Sequence, residues 1–80
     1  MPMLKVRIIN PDEVVFDGEA VYILAPTEHG MIGIMPGHTP YYGELQKGDL
    51  IVHTTEEKTW PIESGLLKVR ADEVTILIGL

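Results

Sequence analysis

The sequence predicts an all-β domain, a flattened sandwich or barrel of about ten short strands, and three observations carry that expectation. Turn-forming residues recur every few positions: Asn10-Pro11-Asp12, Asp17-Gly18, Gly30, Pro36-Gly37, Lys47-Gly48-Asp49, Ser64-Gly65 and Ala71-Asp72. The runs between them are short and rich in Val, Ile, Leu and aromatic residues. With 8 glycines and 6 prolines in 80 residues, few windows can hold three helical turns. A single sheet of this size could not cover both of its faces, so the strands are expected in two packed layers.

The elements follow in order. Leu4-Lys5-Val6-Arg7-Ile8 alternates apolar and basic residues, which places Leu4, Val6 and Ile8 on the core and Lys5 and Arg7 outside. Residues 19–25, 31–35, 50–54, 59–63, 66–70 and 73–78 read in the same way. Pro61 lies inside the run around Trp60 and Ile62, and a residue without an N–H belongs on an edge strand. Val74-Thr75-Ile76-Leu77-Ile78 is nearly apolar on both faces, so this strand is either central or covered from outside. The sequence contains no internal repeat, low-complexity linker or heptad.

Composition excludes several classes. Residues 1–80 make one domain. The absence of cysteine rules out disulfides and Cys-based metal sites. A net charge of -6 disfavours nucleic acid and anionic membrane as direct partners. The first apolar stretch is short and carries Lys5 and Arg7, unlike a signal peptide, and no run approaches a membrane span. A soluble domain is expected.

Catalytic and metal-binding constellations fare poorly. His29, His38 and His53 lie nine and fifteen residues apart, whereas two ligands on one strand face need a spacing of two. Ser64 precedes Gly65 as a turn residue, outside any Gly-x-Ser-x-Gly elbow. No glycine-rich loop opens a helix to cradle phosphate, so no nucleotide or other cofactor is expected. Asp12-Glu13 and Glu56-Glu57 adjoin turns and read as solvated loop charge. A free-standing ligand-binding sandwich, for carbohydrate for example, would need an aromatic platform, for which Tyr41, Tyr42 and Trp60 are the candidates.

The segment Gly30-Met31-Ile32-Gly33-Ile34-Met35-Pro36-Gly37-His38-Thr39-Pro40 stands apart, with three glycines and two prolines. Either Gly30 makes a turn and Gly33 relieves crowding in a strand, or the bare positions admit another backbone while Met31 and Ile32 project into it. Tyr41 and Tyr42 are equally open between core and interface anchor.

Three blocks in register give the segment a context. These are Pro11-Asp12-Glu13-Val14-Val15-Phe16-Asp17-Gly18-Glu19-Ala20, the 30–40 segment, and Ser64-Gly65-Leu66-Leu67-Lys68-Val69 followed by Val74-Thr75-Ile76-Leu77. Together they resemble the N-terminal β-sandwich domain of the epsilon subunit of F-type ATP synthase, called delta in mitochondria. The resemblance implies a non-catalytic central-stalk subunit that binds the gamma subunit and the c-ring and couples proton-driven rotation to ATP synthesis. It implies a place on the cytoplasmic face of the bacterial inner membrane, or the equivalent organellar face, reached only through the complex. The ring-facing turn maps onto Gly30, Gly33, Gly37 and His38, with Met31 and Ile32 between. Met31 stands where the family pattern often has a carboxylate, so an apolar contact is expected there. The family usually continues into a C-terminal helical hairpin; the chain stops at Gly79-Leu80, so inhibitory and nucleotide-sensing roles are expected to be absent.

Overall fold

A computed structural model describes residues 2–37 and 40–79. Among them the chain forms nine strands and no helix: β1 (Leu4–Ile9), β2 (Val14–Ala20), β3 (Tyr22–Thr27), β4 (Gly30–Ile34), β5 (Tyr41–Leu45), β6 (Gly48–His53), β7 (Glu57–Ile62), β8 (Gly65–Arg70) and β9 (Glu73–Ile78). Hydrogen bonding runs in the order β2-β1-β9-β8-β5-β3-β6-β7, with β4 beside β3. Among the described residues, only one pair, Thr27 with Leu45, joins β5 to β3. The sheet folds over at that point, which sets β2-β1-β9-β8-β5 against β4-β3-β6-β7. Among the described residues, all pairings are antiparallel except β1 with β9.

Period-two burial builds the core. Leu4, Val6 and Ile8 are buried while Lys5 and Arg7 are exposed, as the alternation predicts. With Leu67, Val69, Val74 and Ile76 they join Ile23, Ile34, Leu50 and Val52 of the other layer in one cluster. The apolar run at 74–78 is explained by position: β9 lies between β1 and β8, with Val74 and Ile76 buried and Leu77 and Ile78 half-buried. Pro61 lies on β7, a terminal strand, where a missing N–H costs the ladder nothing. The two ends of the strand path also meet. Phe16 of β2 and Trp60 of β7 touch edge to face at 5.6 Å, with the Lys58 ammonium 5.9 Å from the Phe16 ring centre. This contact closes the sandwich.

Two expectations need correction. Residues 19–25 are not one strand: β2 ends at Ala20, β3 begins at Tyr22, and the chain changes layers at Val21. Ala20 pairs with Leu4 while Tyr22 pairs with His53, and the Val21 N–H donates to the His53 carbonyl at 2.8 Å. Ala20 and Ile23 are both buried at an odd spacing, so alternation slips by one at this corner. Strand β5 falls outside the expected set because Gly43 and Glu44 dilute its apolar pattern. The Tyr41 ring fills the space above Gly43, where a Cβ would lie 2.8 Å from the phenol oxygen.

Candidate partner-binding face

The 30–37 segment is held at both ends. At one end β3 and β4 form a hairpin whose loop is Glu28-His29. The Thr27 side chain is buried, donates from Oγ1 to the Gly30 carbonyl at 2.8 Å and accepts the His29 N–H at 3.1 Å. Gly30 follows with φ of 102°, a left-handed conformation that disfavours a side chain. Thr27→Val keeps the shape but removes both bonds; it should cost about 1–3 kcal/mol, read from urea unfolding. At the other end Gly37, with φ of 86°, donates its N–H to Asp72 Oδ1 at 2.9 Å. That bond ties the site to the β8–β9 turn across the sequence.

Between these anchors β4 alternates cleanly. Ile34 is buried and Ile32 is half-buried against the core, while Met31, Gly33 and Met35 face solvent. The expectation that Met31 and Ile32 project together is therefore corrected, because neighbours on a strand point to opposite faces. Met31 is 52% exposed and Met35 61% exposed, with Gly33 between them. A Cβ on Gly33 would meet only Leu24 Cδ2, at an ordinary 3.5 Å, so the fold itself does not demand glycine there. The result is an outward thioether–bare backbone–thioether stripe. His38 lies outside the described residues.

The hairpin tip adds polarity to the stripe. Glu28 and His29 are 66% and 77% exposed at the side chain and lie 3.5 Å apart. His53 is elsewhere, stacked on Tyr22 at 4.7 Å with its Nδ1 buried and without a hydrogen-bond partner. Among the described residues, no three His, Asp or Glu side chains gather in a way that could hold a metal ion. The ambiguous tyrosines divide: Tyr41 packs on the core, whereas Tyr42 is 71% exposed. Tyr42 borders a shallow cleft with Pro40, Lys68, Val69 and Arg70, of about 530 Å³. Trp60 is spent on closing the sandwich, so Tyr41, Tyr42 and Trp60 do not assemble into one exposed aromatic platform.

Of the residues singled out in the sequence, Met31 and Gly33 share the outward side of β4, Ile32 faces the core, and Gly30 and Gly37 are positive-φ positions at the two ends of the segment. Sequence reasoning missed Met35, which the period of two counted outward from Gly33 would have found. It also missed Asp72, whose role depends on a contact 35 residues away and leaves no local trace.

Comparison with known proteins gives this geometry a setting. Residues 3–79 match the family described as the ATP synthase, delta/epsilon chain, beta-sandwich domain. The ATP synthase epsilon chain of Nostoc sp. is 40% identical over 79 residues, covering 95% of this chain and 58% of that protein. That of Bordetella avium is 37% identical over 79 residues, covering 96% of this chain and 56% of that protein. The chain thus spans little more than half the length of these relatives. Among solved structures, a chain of the Euglena gracilis mitochondrial ATP synthase (OSCP/F1/c-ring) superposes with a TM-score of 0.90 at 22% identity, covering 98% of this chain and 52% of its own length. One from the Tetrahymena thermophila mitochondrial ATP synthase (central stalk/c-ring) superposes at 0.79 and 21% identity, covering 94% and 62%.

Proposed function

The chain belongs to the family of ATP synthase delta/epsilon-chain β-sandwich domains, and we propose that it serves as a non-catalytic subunit of the central stalk, the rotor of an F-type ATP synthase. In this reading the domain binds the gamma subunit and rests on the c-ring. It couples ring rotation, driven by proton flow, to gamma and so to ATP synthesis in the alpha/beta head. It meets the membrane only through that complex, on the cytoplasmic face in bacteria or the equivalent organellar face, and it takes no nucleic acid.

The observation that carries the reading is the Met31–Gly33–Met35 stripe, held between a pinned hairpin and the Gly37–Asp72 bond. Exposed methionines beside a bare backbone suit contact with a partner surface, because a thioether chain adapts its shape to what it meets. A two-layer domain with a single close-packed core suits the transmission of torque, since such interiors deform little.

The test uses a membrane-bound synthase stripped of its epsilon subunit. Adding this chain should restore ATP-driven proton pumping. Gly33→Ala should restore it as well, because the Cβ has room. Gly33→Glu should fail while remaining folded, since it sets a charge in the middle of the apolar stripe. Equal pumping with Gly33→Glu would sink the assignment of this face.

A further inference from the structure

Among the described residues three strands end a ladder, and they are not equally protected. Proteins commonly block an open edge with charge, proline or a bulge, because it invites pairing with another chain. On β2, Asp17 and Glu19 are exposed, and its pairing with β1 shifts register between Ile8 and Ile9. On β7 stand Glu57, Lys58 and Pro61. Strand β4, Gly-Met-Ile-Gly-Ile, has no charge, no proline and no shift in its register with β3. Its open side also has backbone groups to offer. In an antiparallel pair, opposed residues alternate between bonding each other and pointing their N–H and C=O away. Pro26 has no N–H, and its carbonyl accepts the Gln46 N–H at 2.9 Å, so its backbone faces away from β4. Met31, opposite Pro26, therefore presents its N–H and C=O to the open side, and so does Gly33, two residues on. Among the described residues, no turn or loop bond reaches the backbone of either.

This edge is complementary to itself. Place a second copy antiparallel, with a two-fold axis at Ile32, and Met31 of each chain falls opposite Gly33 of the other. Both positions point their N–H and C=O outward, so each opposed pair exchanges both of its bonds. Their side chains share the outward face, so the Met31 thioether chain of one copy lies over the bare Gly33 of the other. The two Met31 side chains become diagonal neighbours across the axis, within reach of each other. The two Ile32 side chains meet on the core side, where each is already half-buried. The hairpin tips point to opposite ends of the pair, which keeps the exposed Glu28 carboxylates of the two copies apart.

We infer that, before it meets another partner, this chain pairs with a second copy of itself through the open edge of β4, Met31 of each bonded to Gly33 of the other. The patch is the same on both copies and closes on itself, so the product is a dimer and not a fibre. The contact is small and each copy carries a net charge of -6, so the dimer is weak and salt strengthens it by screening the repulsion. Because pairing covers Gly33, it excludes docking of the same stripe on any other surface. The inference stands on the edge alone and does not rest on the stalk reading.

The test is sedimentation equilibrium of the chain alone, from about 10 μM to about 1 mM, the range in which a contact this small forms. The mean mass should rise towards twice that of one chain, and more so in about 0.5 M salt than in dilute buffer. Over the same range the Met31 and Gly33 amides should slow in hydrogen exchange by about tenfold. Met31→Glu changes a half-exposed side chain, keeps the fold and sets two carboxylates on the diagonal; it should weaken pairing by about tenfold or more. Met31→Leu, still apolar, should pair within about threefold of the parent. A chain that stays single at the highest concentration in high salt would overturn the inference. So would a dimer in which both amides exchange as in the dilute chain, or one that Met31→Glu leaves as tight as the parent. None of these results touches the stalk reading.

Discussion

Replacing Gly65 by alanine should lower the melting temperature by about 12–24 °C, the equivalent of roughly 3 kcal/mol in a domain of this size. Gly65 is buried at the start of β8, opposite Ile78 of β9. A Cβ there would lie 2.4 Å from the Leu77 carbonyl oxygen and 3.4 Å from Leu45 Cδ1. A flexible side chain could swing aside, but the nearer obstacle is backbone in a central strand. Relief must come from parting β8 and β9, which breaks a ladder inside one layer, beside the Leu45 position that pairs with β3. Because Gly65 has no positive φ, the effect is steric and not conformational. A thermal scan that places Gly65→Ala within about 2 °C of the parent would show that β8 and β9 can part freely, against this account.

Ile76→Ala is expected to cost about 2–5 kcal/mol, enough to leave much of so small a domain unfolded. Ile76 is fully buried, and its in-register neighbours Ile8 and Leu67 are fully buried as well. Ladders on both sides prevent β9 from moving to fill the hole, so most of the cavity remains. Lys68→Ala, at an exposed position on the adjacent strand, should stay within about 0.5 kcal/mol of the parent. Urea midpoints at constant slope measure both. A loss below about 1 kcal/mol for Ile76→Ala would mean that β9 is not the centre of the core.

Much of this architecture could be read before the structure. Strict alternation in β1 marked its inward face, the nearly continuous apolar run at 74–78 marked β9 as central or covered, and Pro61 marked β7 as an edge, because burial and missing donors act residue by residue. The corner at Val21 was hidden because apolar residues continue across it; only the odd spacing of Ala20 and Ile23 marks the slip. Strand β5 was hidden because its central position, Gly43, owes its cover to the Tyr41 ring and not to its own side chain. The same division holds for the candidate site. Turn chemistry at Gly30 and Gly37 was local and visible, and both glycines have positive φ. The Gly37–Asp72 bond and the exposure of Met35 were not, since each depends on where the rest of the chain lies.

The central claim is that this chain is a stalk subunit gripped by gamma, and co-purification tests it most directly. The chain is mixed with the gamma subunit of a synthase whose relatives it resembles, passed over a sizing column and analysed for stoichiometry. The account predicts a one-to-one complex that survives the column with the parent chain and with Gly33→Ala. A folded chain that elutes apart from gamma at every concentration tried would contradict it.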